Sequence, residues 1–194
     1  MHSRDGHPTS FFLNMSVQII FESHATTTDN EAGLASGWND VELSELGLRQ
    51  ARDLGERRRA DEIDAVFCSD LQRSYRTAWV AFEGREMSVF IDWRLREADY
   101  GDRTKSPSWE VGPQKPEHIV TPFPGGESYE QTTERMRSFL RDLLTFHNGK
   151  RVMVIGHRAT QYALEHLISN KPLGEIVPAS WTWQPGWEYT LTTV

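Results

Sequence analysis

Cysteine is almost missing from this chain: Cys68 is the only one in 194 residues, so no internal disulfide can form. That excludes the small cross-linked folds of the secretory route. Long apolar runs are also lacking, and nothing in the sequence reads as a membrane span. Positive charge is scarce, with 21 Lys and Arg against 28 Asp and Glu and a formal net charge of −7. Such a balance argues against a nucleic-acid partner, although a local basic pocket stays compatible with it. No repeat or low-complexity segment is visible, no secretory apolar core stands near the start, and no His or Cys spacing matches a metal site. The expectation is a cytoplasmic enzyme with a single domain over residues 15–194, long enough for one sizeable core. Residues 1–14 are polar and precede Met15; they are expected to be a disordered extension outside the fold.

What is present is an alternation of strand-like and helix-like segments. Residues 16–22 read as a buried strand, with a loop after them that runs to Leu43. Ser44 is a natural N-cap for a helix with Leu48, Ala51 and Leu54 on its apolar face. Short strands are expected at 65–68 and 88–91, separated by a helix over 71–82. Residues 101–126 are rich in Gly and Pro, too long for a plain connector, and read as a lid or binding loop. Tyr129, Met136, Phe139, Leu140, Leu143 and Leu144 share one helical face, and Asn148-Gly149 ends that helix. A central strand at 151–155, a helix over 159–169 and a final strand region at 182–193 complete the chain. The fold class is therefore α/β, a three-layer sandwich whose central, mostly parallel sheet is covered by helices on both faces.

Two histidines, His24 and His157, each close a strand and open the segment after it. A parallel sheet gathers the carboxyl ends of its strands along one edge, where ligands bind. Residues far apart in the chain can thus share a pocket, and imidazoles there suit phosphoryl chemistry. Taken alone, each has a plainer reading: His24 as a polar turn residue, Arg73 as a solvated helix residue, Glu97 as part of a surface ion cluster with Arg94, Arg96 and Asp99. Cys68 reads as a buried strand residue, and Trp181, Trp183 and Trp187 as core packing and edge cover more than a binding platform.

Together the motifs say more. Ser23-His24-Ala25-Thr26-Thr27, then Asn30, Ser36-Gly37-Trp38, Asp40 and Gly47, then Ser69-Asp70-Leu71-Gln72-Arg73 with Thr77, then Arg94-Leu95-Arg96-Glu97, Pro124-Gly125-Gly126-Glu127-Ser128 and Gly156-His157 stand in one order. In that order and spacing the chain resembles the histidine phosphatase (phosphoglycerate mutase-like) superfamily over about residues 17–165. The resemblance implies a phosphoglycerate mutase-like fold and a phosphatase that needs no metal or other cofactor. It assigns His24 as the nucleophile that becomes a phosphohistidine, Glu97 as general acid and base, and Arg73 and His157 as donors to the phosphoryl oxygens. Asn30 and the loop at Ser36-Gly37 would add neutral donors. The implied partner is a small-molecule phosphate ester, with no nucleic acid and no membrane; oligomeric state stays open.

Departures from the family pattern refine this. Ser23 stands where the family carries an arginine beside the nucleophile, and Ala25 replaces a glycine. An arginine on a transferring phosphoryl group is worth roughly 10³ to 10⁵ in rate. Arg158, next to His157, and Arg103 in the lid are the two sequence candidates to replace it. The missing cation also leads to the expectation that His24 titrates higher than usual, weakening activity in mildly acidic buffer. Gly37-Trp38 and the Glu97-x-x-Tyr100-Gly101 segment look like the mutase branch. The lid, however, holds only Arg103, Lys105 and Lys115 and lacks the Arg-Arg pair that resemblance would require, which favours hydrolysis. Mutase-type phosphoryl transfer and a weakened phosphate-ester binding protein are the alternatives. Trp38, Tyr100, Arg103 and Trp109 are the outer-shell candidates.

Overall fold

The computed structural model describes residues 15–194; the extension expected over residues 1–14 lies outside them. Five strands, β1 (Val17–Ser23), β2 (Ala65–Cys68), β3 (Val89–Ile91), β4 (Arg151–Gly156) and β5 (Trp187–Leu191), form a sheet in the order β3-β2-β4-β1-β5. Neighbours are parallel except β5, which pairs antiparallel with β1. The helices are α1 (Thr28–Glu31), α2 (Glu45–Arg57), α3 (Gln72–Ala81), α4 (Ser108–Gln114), α5 (Tyr129–Phe146), α6 (Arg158–Leu167) and α7 (Leu173–Ile176).

Alternation along β1 explains the layering. Val17, Ile19 and Phe21 pack with Phe139, Leu140 and Leu143 of α5 and with Leu164 of α6. On the opposite face, Ile20 meets Leu54 of α2 and Ala78 and Ala81 of α3. Both faces of the sheet are therefore covered, which is why β2 and β4 carry almost uninterrupted apolar runs. This is the expected three-layer α/β sandwich. Ser44 caps α2, its Oγ accepting from the Gly47 amide at 3.2 Å. Gly47 is required there, because a Cβ would lie 1.9 Å from the Thr26 carbonyl oxygen. Ser128 and Gln131 cap α5 reciprocally, at 3.1 and 2.8 Å.

The lid is where expectation and structure part. Residues 101–126 are not one open loop but a 3₁₀ turn (Gly101–Arg103), α4 and a second 3₁₀ turn (Lys115–His118). Gly112 and Pro113 masked the helical pattern, yet α4 is seated by Val111, which is buried with Tyr100, Phe123 and Tyr162. The turn of α1 inside the long loop and the short α7 were likewise not anticipated. The final strand is shorter than expected, Trp187–Leu191, because residues before it form an irregular segment.

A buried arginine fastens the Glu97 segment to α5. Arg135 donates to the Arg94, Arg96 and Glu97 carbonyls at 2.7, 2.9 and 2.8 Å and forms an ion pair with Glu127 at 3.0 Å. Arg135→Met would strand these acceptors and the Glu127 carboxylate. It should lower stability in urea denaturation by about 3–5 kcal/mol; a loss below about 1 kcal/mol, the scale of an ordinary surface pair, would contradict this role.

Candidate active site

The carboxyl ends of β1, β4 and β2 lie side by side and deliver the chemistry-bearing residues to one edge. Ser23 is opposite Gly156, and the His24 amide donates to the Gly156 carbonyl at 3.0 Å. The rings of His24 and His157 consequently sit with centroids 5.0 Å apart. Ser69, just past β2, brings its Oγ to 2.7 Å from His157 Nε2. A turn later, α3 supplies Arg73 and Thr77. Thr77 Oγ1 accepts from the Ala25 amide at 3.0 Å and donates to the Arg73 carbonyl at 2.6 Å, tying the His24 turn to α3.

His24 Nδ1 lies 2.8 Å from the Ala25 carbonyl oxygen. A carbonyl can only accept, so Nδ1 carries the ring proton and Nε2 presents its lone pair. Burial, then the nearby Arg73 guanidinium, hold the His24 pKa down at about 3, against the opposing Ala25 hydrogen bond. This reverses the sequence-based expectation that loss of the motif arginine would raise it: desolvation and the Arg73 charge act together and outweigh the Ala25 hydrogen bond. His157 is also held well below the usual histidine range, by burial first, then by Arg73 and His24. Its ring is fully buried, and Nδ1 has no protein partner among the described residues.

Arg73 is 2 % exposed, and its guanidinium is aimed by backbone rather than by a carboxylate. It donates to the Gly37 carbonyl at 2.7 Å and to the Asn39 carbonyl at 3.0 Å. Gly37 sits at φ +50°, a left-handed conformation, packed so closely on Tyr100 and Thr104 that a side chain there would be crowded. Glu97 is buried, and its Oε1 accepts from the Ala98 and Ala159 amides at 2.9 and 3.1 Å. It is not part of a surface ion cluster: Arg94 pairs with Asp92 and Asp142, and Arg96 with Asp70.

His24, Arg73 and Glu97 all line one cavity of about 580 Å³. Asn30, Ser36, Gly37 and Arg158 line it too, so the sequence-expected set converges, with His157 packed behind the His24 ring. Of the two candidates to replace the motif arginine, Arg158 reaches the cavity while Arg103 is exposed and outside its wall. Arg158 stacks over Trp181 at 4.8 Å, so its charge sits at the Tyr100 end of the cavity. Tyr100 alone of the outer-shell candidates forms wall; Trp109 is 74 % exposed, and Trp38 instead donates from Nε1 to the Glu97 carbonyl. Trp181 packs against the core and on Trp187 as expected while also forming wall, Trp187 packs on Phe21, and Trp183 is the exception, an exposed wall residue.

Sequence reasoning missed three residues. Lys115 is buried in the cavity wall, and burial pushes its pKa down to about 8 against the pull of Glu97, with Arg158 adding to the depression. Glu22 is 2 % exposed and carries ion pairs to Arg57 and Arg58. Arg57 itself lines the cavity. A glutamate inside an apolar strand was the one available signal. Cys68 fits its plain reading, since burial raises its thiol pKa to about 12.

A family model described as "Histidine phosphatase superfamily (branch 1)" matches residues 19–182. The chain belongs to that superfamily. Among histidine phosphatase relatives, the "Probable phosphoglycerate mutase GpmB" of Klebsiella pneumoniae is 34% identical over 149 residues, covering 73% of this chain and 69% of that one. "Phosphoserine phosphatase 1" of Hydrogenobacter thermophilus is 30% identical over 157 residues, covering 76% and 74%. Among solved structures, a mycobacterial glucosyl-3-phosphoglycerate phosphatase complexed with VO3 superposes with a TM-score of 0.73 at 25% identity, covering 86% of this chain and 87% of that one. Among the described residues no helix is long and apolar enough to cross a membrane.

The depressed pKa of His24 fixes the sign of its pH dependence. From an unfolded value near 6.5 to about 3 in the folded chain, the unfolded state binds the extra proton. The stabilising contribution is complete above the unfolded value and is lost as pH falls toward 3. An NMR titration should show a neutral His24 ring at about pH 5; protonation with a midpoint near 6.5 or above would overturn this and restore the original expectation.

Proposed function

We propose that this histidine phosphatase superfamily member is a phosphoric monoester hydrolase that works through a phosphohistidine on His24. The observation that carries the reading is the 2.8 Å contact of Nδ1 with the Ala25 carbonyl, which leaves Nε2 free as nucleophile in a cavity shared with Arg73 and Glu97. His24 Nε2 attacks phosphorus in line as the alcohol leaves. Arg73, with Asn30 and the Ser36-Gly37 loop, stabilises charge on the equatorial oxygens. Ser69 can donate to His157 Nε2, which places the His157 proton on Nδ1 and keeps the buried ring neutral behind His24. Glu97 protonates the departing alkoxide and then takes a proton from the water that hydrolyses the phosphohistidine. No step in this sequence calls for a metal ion.

Glu97 marks the leaving-group side, and Lys115 and Arg158 stand on that side. Their charge suits an alcohol that itself bears an acid, in keeping with relatives named for phosphoserine and phosphoglycerate. Hydrolysis is favoured over transfer, because of the lid's cations only Lys115 reaches the cavity. Lys105 points to Asp29 at 3.9 Å, and Arg103 lies outside.

Rapid quench with a turnover substrate, followed by mass spectrometry, should find one phosphoryl group on His24. His24→Ala should reduce phosphomonoester turnover by about 10³-fold or more. Label on another residue, or activity surviving the substitution, would overturn the reading. Arg158→Ala should raise KM for phosphoserine more than for 4-nitrophenyl phosphate; equal effects would remove Arg158 from the leaving-group subsite.

A further inference from the structure

The cavity extends well beyond what a phosphoryl group and its leaving alcohol require. Besides Glu97, Lys115 and Arg158, its wall includes Ser23, Glu22, Gln50, Asp53, Arg57 and Trp183. Ser23 stands beside His24 at the position where the family resemblance implies an arginine. An arginine there would fill space in the wall next to His24 and add positive charge that serine does not supply.

We propose that the enzyme also cleaves phosphodiesters, the room and the charge lost at Ser23 receiving the ester substituent that stays on phosphorus. The inference rests on His24 acting as the nucleophile. A phosphomonoester carries about −1.5 to −2 charge at pH 7. A diester carries a single negative charge, so it calls for less fixed cation and for more space beside phosphorus. Ser23 changes the site in both respects at once.

The wall formed by Glu22, Gln50, Arg57 and Trp183 suits such a substituent. The buried Glu22 carboxylate accepts from Arg57 Nη2 at 3.1 and 3.2 Å and from Arg58 Nη2 and Nε at 2.7 and 3.0 Å. Arg58 is fully engaged, reaching Asp61 and the Pro185 carbonyl as well. Arg57 commits only Nη2 to protein acceptors among the described residues, and its guanidinium lies 6.0 Å from the ring of Trp183. Trp183 is 54 % exposed, a large indole face without a core role. A planar group bearing hydrogen-bonding atoms matches this combination of aromatic face, guanidinium and side-chain amide.

The chemistry balances without a co-reactant beyond water. His24 Nε2 forms a bond to phosphorus as the P–O bond to the leaving alcohol breaks, and Glu97 gives that alkoxide its proton. The intermediate is a phosphohistidine still esterified to the second substituent, which lies beside Ser23. Water, losing a proton to Glu97, then breaks the N–P bond and releases a phosphomonoester and free His24.

Steady-state hydrolysis of bis(4-nitrophenyl) phosphate and of 4-nitrophenyl phosphate tests this directly. The wild-type enzyme should release nitrophenolate from the diester with 4-nitrophenyl phosphate as the first product, and with initial-rate kcat/KM at least equal to that for the monoester. Ser23→Arg should shift the diester-to-monoester ratio toward the monoester by about 100-fold or more, and Ser23→Ala should keep the wild-type preference. Diester turnover no higher than that of His24→Ala overturns the proposal, as does an unmoved ratio in a Ser23→Arg protein that melts like wild type. If Ser23→Arg does not fold, the wild-type comparison still decides. His24-dependent monoester hydrolysis with a silent diester sinks this proposal alone; monoester hydrolysis that survives His24→Ala sinks the phosphohistidine reading beneath it.

Discussion

The site is organised by one buried guanidinium. Arg73 has no carboxylate hydrogen-bond partner among the described residues; two loop carbonyls, those of Gly37 and Asn39, hold it in place. Carbonyl acceptors orient the fork without cancelling its charge, so the field at the sheet edge stays positive. That field, on top of burial, keeps both His24 and His157 in their neutral forms. A neutral His24 is the form that can attack, and a cation not tied up in a direct ion pair is what an anionic transition state needs. Burial lowers the pKa of Arg73 as well, opposed first by Glu97 and then by Tyr100. The desolvation cost is thus offset by the same carboxyl proposed as acid and base.

Around this centre the fold divides the labour by strand end. β1 delivers His24, β4 delivers His157, and the β2–α3 turn delivers Ser69 and Arg73. Glu97 comes from a non-repetitive segment, and this is why it needs the Arg135 anchor and the two amide donors on its carboxylate. Irregular backbone carries reactive groups well only when other elements fix it.

Much of this was legible before any coordinates, and the reason is locality. A strand, a turn and a helix start can be recognised over a dozen residues, and the sheet then brings such turns together whatever their separation in the chain. His24 and His157 were readable for that reason; Arg73, Glu97 and Gly37 were readable through the order of motifs that carries the family resemblance. Lys115 and Arg57 were not, because their positions come from packing: Lys115 from the folding of the lid into α4 and the 3₁₀ turn after it, Arg57 from the pairing of α2 with a glutamate in β1. The lid itself was obscured by Gly112-Pro113, which local propensity reads as a break while Val111 and Tyr100 seat it as a helix. The His24 charge state was misjudged because counting cations along the sequence leaves out desolvation, the largest cause of the shift.

Ser23 gives the site its individual character. The fold around it is that of the family, and serine in place of the arginine that the resemblance implies changes charge and side-chain size together beside the nucleophile. The central claim, that His24 Nε2 meets phosphorus with Arg73 on the equatorial oxygens and Glu97 opposite, is tested most directly by a crystal structure with vanadate. It should show vanadium bonded to His24 Nε2, equatorial oxygens on Arg73, and the apical oxygen facing Glu97. Vanadate lodged elsewhere, or held in the cavity with no bond to Nε2, would contradict the account.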